Sequence, residues 1–287
     1  MNFAKHTNHL TCFRTWGLLF ASSLMVLGLT ACGGGSSPSA PGTAVPTLIT
    51  PGAYKGSVNG RDWISIVLPI EPSSANVSNF YALHYNATDP DIYSGSGQIT
   101  GNNSASLAQI KSYAYLSTAG RTGSAGSLRS LSSGQVQASL NFPSTGSEVA
   151  LAISLDHSAP TGYVYNTAAN LSDVQGTWQG NLSYASGGNN AFSIAVSSQG
   201  VLSSSMSFLG DCQLTQSSLT PNFDGSNLFK FSTRIPDATS CAANFLGGQT
   251  LTGAAFVTPS PVAGKTQRLY LIGVNSDGRG ISFKADR

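Results

Sequence analysis

The sequence predicts an all-β chain folded as two small antiparallel up-and-down β-barrels in tandem, with two β-sandwiches as the alternative architecture. Three observations carry the prediction. Only 9% of the 287 residues are charged and 32 are glycine, while Ser, Thr, Asn and β-branched or aromatic residues dominate the rest. Such a composition disfavours helices and suits short strands joined by tight turns. Apolar residues then recur at every second position through most of the chain, as half-buried strands require. Finally, Gly52-Ala53-Tyr54-Lys55-Gly56 is answered 124 residues later by Gly176-Thr177-Trp178-Gln179-Gly180, and each copy opens a β-rich segment of similar length.

From the start of the chain, Lys5 and Arg14 precede an uncharged apolar stretch, Trp16 to Leu29, that is short for a permanent membrane helix. It runs into Leu29-Thr30-Ala31-Cys32, which resembles the bacterial lipobox: an aliphatic residue, two small residues, and the cysteine that receives lipid. The resemblance implies a signal peptide over 1–31, cleavage before Cys32 and acylation of its thiol. Each buried methylene of the acyl chains contributes about 0.8 kcal/mol, so two or three chains hold a protein on a membrane without a transmembrane segment. Gly33 stands where an aspartate would favour inner-membrane retention, so the resemblance points to the outer membrane. Residues 32–51 carry no charge and begin Cys-Gly-Gly-Gly-Ser-Ser-Pro, which reads as a flexible tether. Two β-domains, 52–172 and 173–287, follow.

In the first domain the alternation reads through Trp63-Ile64-Ser65-Ile66-Val67-Leu68, then Val136, Ala138, Leu140 and Phe142, then Val149, Leu151, Ile153 and Leu155. In the second it reads through Phe192, Ile194 and Val196, then Leu202, Ser204, Met206 and Phe208, then Phe229 and Phe231, and last Ile281, Phe283 and Ala285. Asn59-Gly60, Asn222-Phe223-Asp224-Gly225 and Ser276-Asp277-Gly278 supply turns between strands. Closure of each sheet removes exposed edges, which favours barrels over sandwiches. The repeated Gly-x-aromatic opening resembles that of the calycin group, the lipocalins and avidin-like barrels. The resemblance implies that Tyr54 and Trp178 lie on the two barrel floors and that Arg287 covers the Trp178 ring. The whole layout of lipobox, tether and tandem β-domains is similar to that of proteobacterial envelope lipoproteins.

Cysteine usage agrees with export. With Cys12 in the signal peptide and Cys32 lipidated, Cys212 and Cys241 remain, and the expected disulfide closes a 29-residue loop. On the chain-entropy account such a bridge stabilises by roughly 3 to 4 kcal/mol.

Charge excludes one function class. Loss of Lys5 and Arg14 lowers the 14 basic residues to 12, equal to the 12 acidic ones, and no basic cluster follows Cys32, so nucleic acid is not an expected partner. Chemistry-bearing motifs are scarce. His84 lies in the alternating run Tyr81 to Tyr85, and His157 sits in Asp156-His157-Ser158, whose contiguity argues against a triad. No nucleophile elbow, zinc spacing or calcium loop occurs, so no metal, cofactor or enzymatic activity is expected. Tyr81, Tyr85 and Tyr93, with Tyr113 and Tyr115 nearby, are the candidates for lining a ligand pocket in the first barrel; Phe192, Ile194, Met206, Phe208, Phe229 and Phe231 are expected to fill the second. The expected function is that of a membrane-anchored, non-enzymatic module that binds another protein, with protease inhibition as one form. The alternatives are a carrier of a small apolar ligand and, more remotely, a hydrolase built on His84 or His157.

Overall fold

Strand follows strand throughout the computed structural model, which describes Ile49 and residues 51–287 apart from 59–60, 71–76, 86–90, 102, 114–119, 131–134, 145–146, 157–162, 165–166, 185–187, 206–213 and 238–245. The first sheet contains β1 (Gly52–Val58), β2 (Arg61–Val67), β3 (Val77–Tyr85), β4 (Asp91–Gly101), β5 (Ser104–Tyr113), the two-residue β6 (Arg121–Thr122), β7 (Ala125–Ser130), β8 (Gln135–Ser144) and β9 (Ser147–Asp156). Each long strand pairs antiparallel with its neighbours. Because β1 pairs with β9 as well as β2, and β4 pairs with β5, the sheet closes on itself.

A 3₁₀ turn, Leu171–Asp173, leads into the second sheet. Its strands are β10 (Gly176–Tyr184), β11 (Gly188–Val196), β12 (Leu202–Ser205), β13 (Thr215–Pro221), β14 (Phe229–Arg234), β15 (Thr250–Pro259), β16 (Gln267–Val274) and β17 (Gly280–Asp286). They run in the order β12-β11-β10-β17-β16-β15-β14-β13. The two outermost strands meet at the bridge between Val201 and Ser218 and at the hydrogen bond from Leu219 N to Gly200 O, 2.8 Å. The fold is therefore two tandem up-and-down barrels of like topology.

Alternation decides what fills them. Tyr54, Trp63, Val67, Phe80, Tyr93, Leu107, Leu128, Leu140 and Phe142 belong to the buried core of the first barrel. Trp63 packs on Tyr93 with ring centroids 5.0 Å apart, and Tyr93 meets the edge of Phe142 at 5.6 Å. In the second barrel Trp178, Phe192, Ile194, Phe229, Phe231, Leu269, Leu271 and Phe283 make the equivalent cluster. Gly180 is required by close approach, since a Cβ there would overlap the carbonyl of Lys284 on β17. Apolar inside and largely polar outside is the reverse of a membrane-spanning barrel. Among the described residues no helix is long and apolar enough to cross a membrane.

The run Trp63 to Leu68 departs from the expected one-sided pattern. Its odd positions, Trp63, Ser65 and Val67, face the interior, yet Ile64, Ile66 and Leu68 on the other side are also buried. They pack with Ala53, Tyr81, Leu83 and Ile92 of the first barrel against Ala254, Phe256, Tyr270, Ile272 and Val274 on the outside of the second. The barrels thus share a third apolar core between their outer walls, and both belong to one compact unit, Ala44–Arg287. Within it Phe256 stacks on Tyr270 at 4.9 Å and meets the edge of Tyr163 at 5.4 Å. The β16–β17 turn extends the seam: Arg279 Nε donates to the Tyr113 hydroxyl at 3.3 Å. Gly278 lies against Lys111 with φ +81°, so a side chain there would both strain the backbone and strike the lysine.

Two outcomes follow from the seam. Phe256→Ala should cost about 3 to 5 kcal/mol in denaturant unfolding, as for other buried aromatic truncations, and should loosen both barrels. Tyr81, whose hydroxyl shares a side-chain hydrogen bond with Thr252, has its pKa pushed up to about 12, chiefly by burial. The raised value means its stabilising effect is complete below about pH 10 and is lost as pH climbs through 12. Wild-type stability should fall by up to about 3 kcal/mol more than that of Tyr81→Phe over this range, as measured by unfolding at stepped pH.

Candidate interaction surface

Strand registers place three hairpin turns of the second barrel at a single end. Val196 pairs with both Gly176 and Leu202, Pro221 pairs with Phe229, and Pro259 pairs with Gln267. Hence the turns over 197–201, 222–228 and 260–266 all open where β10 begins and β17 ends. Val201, Phe223 and Val262, one in each turn, are 50%, 48% and 42% exposed.

Each turn is held by its own side chains, in the manner of Asx and Ser/Thr turns. Ser197 Oγ accepts from Gln199 N at 3.2 Å and from Val201 N at 3.1 Å. Asn222 Oδ1 accepts from Phe223 N at 3.1 Å, and Asp224 Oδ1 accepts from Ser226 N at 3.0 Å. Ser260 Oγ accepts from Val262 N at 3.0 Å and itself donates to Asp286 Oδ1 at 2.6 Å. Asp286 in turn receives both Nε and Nη2 of Arg268, at 2.8 and 2.9 Å, a paired geometry that fixes the base of the third turn. Lys230 Nζ stands 5.2 Å from the centre of the Phe223 ring. The apolar groups are therefore presented from organised backbone, whose ordering is already complete on folding.

The floor of this end is closed by the residues of the repeated motif. Trp178 is fully buried, and its Nε1 donates to Val174 O at 2.7 Å. The Arg287 guanidinium lies over the indole, 4.5 Å from its centre. It also donates to the carbonyls of Gln175 and, at 3.0 Å, Asp173, and its Nε reaches Gln267 Oε1 at 2.8 Å. Arg287 thus ties the 3₁₀ turn to β16. Tyr54, at the matching place in the first barrel, is likewise fully buried.

The tyrosine candidates do not converge. Tyr93 faces the interior of the first barrel, where burial raises its pKa, whereas Tyr81 faces outward into the seam. Tyr85 pairs with Asp62 in the β2–β3 ladder, and His84 with Trp63 and Asp91 in the ladders on either side of β3; their side chains lie outside the described residues. So do Cys32, the expected signal peptide over 1–31, nearly all of the expected tether over 32–51, Tyr115, His157, Met206, Phe208, Cys212 and Cys241. Among the described residues no three His, Cys, Asp or Glu side chains gather as a metal site would require. The sequence marks 222–225 as a turn, and Phe223 stands within it. An aromatic inside an Asn/Asp/Gly turn has no core to reach, and that was the available signal.

Compared with protein-family models, curated proteins and solved structures, the chain matches none.

Removing the Arg287 side chain should test the floor. Arg287→Ala is expected to lower stability by about 1 to 3 kcal/mol in urea and to shift Trp178 fluorescence, and Arg287→Lys should recover little because a point charge cannot replace the planar, several-fold donor.

Proposed function

We propose that the chain is a lipid-anchored envelope protein of the outer membrane that binds another protein, without catalysis, through the three-turn end of its second barrel. The observation that carries this reading is the set of three separately braced turns, each showing one apolar side chain at the same end. Exposed hydrophobic residues scattered singly are ordinary; three at one end of a barrel, each on a braced turn, offer a partner apolar anchors. The lipobox-like Leu29 to Cys32 and the uncharged tether support anchoring through Cys32. A Cys212–Cys241 disulfide is consistent with the strand order, since β12 ends, β13 begins, β14 ends and β15 begins at the opposite end of the barrel from the three turns. A resemblance to calycin barrels is supported by Gly-x-Tyr and Gly-x-Trp, the buried Tyr54 and Trp178 rings and the Arg287 guanidinium over the indole.

A second reading, carriage of a small ligand in the first barrel, is favoured by Ser65. Its hydroxyl is fully buried on the inner wall between Trp63 and Val67 and has no hydrogen-bond partner among the described residues. A bound polar group would satisfy it.

A photo-crosslinking residue placed at 223 or 262 in cells that make the protein should capture one common partner, while the same probe at the exposed position 137, on the wall of the first barrel, captures none. Phe223→Ser should weaken the isolated complex about tenfold or more, and Cys32→Ser should release the chain from membranes. Adducts at 137 but not at 223 or 262 would overturn the assignment. A small molecule released from the purified protein on unfolding, and retained less by Ser65→Ala, would favour the carrier reading.

A further inference from the structure

The ladder registers allow the two barrels to be superposed residue by residue, because Gly52 and Gly176 open equivalent strands. Ala53 pairs with Ile66 and Ile66 with Tyr81; Thr177 pairs with Ala195 and Ala195 with Ser203. Ile64, opposite Lys55, corresponds to Ser193, opposite Gln179. The wall by which the first barrel enters the seam, Ala53, Ile64, Ile66 and Tyr81, is therefore Thr177, Ser193, Ala195 and Ser203 in the second. Those four are exposed or half-buried.

The back walls of the two barrels correspond in the same way. Lys55 pairs with Asp156 and Asp156 with Gln135, just as Gln179 pairs with Asp286 and Asp286 with Arg268. Counting along β8 and β16 and across to β7 and β15 equates Ala254, Phe256, Tyr270, Ile272 and Val274 with Ser127, Arg129, Gln137, Ser139 and Asn141. The first set is buried in the seam, and the second is exposed or half-buried.

The seam is thus heterologous: a front wall of one barrel meets the back wall of the next. An interface of that kind leaves one front and one back wall unused and would add further copies end to end unless something stopped it. We propose that the polar walls around Thr177, Ser193 and Ser203 and around Arg129, Gln137 and Asn141 are end caps. They hold the array at two barrels by denying a second copy of this chain the apolar surface that the seam uses. Terminal units of stacked-repeat proteins meet the same requirement with a polar outer face.

Two grafted chains test the idea. One carries Thr177→Ala, Ser193→Ile, Ala195→Ile and Ser203→Tyr; the other carries Ser127→Ala, Arg129→Phe, Gln137→Tyr, Ser139→Ile and Asn141→Val. In sedimentation experiments the wild type and each graft alone should have the mass of one chain, and the mixed grafts should give a one-to-one complex of twice that mass. Paired reduced grafts, Ser193→Ile with Ser203→Tyr and Gln137→Tyr with Ser139→Ile, serve if the full sets do not fold, and should show the same mixing more weakly. The proposal fails if the wild type already assembles end to end, if folded grafts remain separate when mixed, or if each graft aggregates equally without the other.

Discussion

β2, β3, β15 and β16 carry apolar side chains on both faces, and no solvent-facing arrangement of either barrel alone could accommodate them. Leaving Ile64, Ile66, Leu83, Phe256 and Ile272 in water would forgo about 1.5 to 3 kcal/mol for each large side chain. The outer walls therefore have to meet. Once they do, the β16–β17 turn is pressed close to Lys111, glycine becomes necessary at 278, and Arg279 reaches Tyr113. Tyr81 and Thr252 add a polar tie within the same contact.

That contact gives the three-turn end a fixed bearing. β15 and β16 supply the seam with Phe256, Tyr270 and Ile272 and also form the hairpin whose turn shows Val262. Arg268 and Asp286 brace the turn from the strand side, while Arg287 draws β16, the 3₁₀ turn and Trp178 together beneath it. A partner docking on Phe223, Val201 and Val262 would thus meet a surface organised by two cores at once. The energetic cost of ordering that surface falls on folding instead of binding.

Much of the architecture was legible in the sequence because a barrel interior imposes period two, and Phe192, Ile194 and Val196 or Val136, Ala138 and Leu140 show it without interruption. The Gly-x-aromatic openings marked equivalent strands, and the structure puts both rings in buried places. The seam was less legible, although its sign was present. Trp63 to Leu68, Ala254 to Val257 and Leu269 to Ile272 are nearly continuous apolar runs, the pattern of strands covered on both faces. Reading Trp63 to Leu68 as simple alternation hid its outer face. Tyr81 and Tyr93 lie on successive strands and looked like companions, but an odd position in β3 points outward where an odd position in β4 points inward, and sequence does not reveal that phase. The exposed turn residues were missed because propensity marks where a turn lies, and says nothing of which neighbouring turns share an end.

The shared core between the barrels is the claim on which the rest stands, and amide hydrogen exchange across residues 52–287 addresses it most directly. The account predicts that amides of β2, β3, β15 and β16 are the slowest in the chain and open together in one event close to global unfolding. Two exchange groups that follow the two barrels independently, with β15 and β16 no better protected than the solvent-faced β10 and β11, would contradict it.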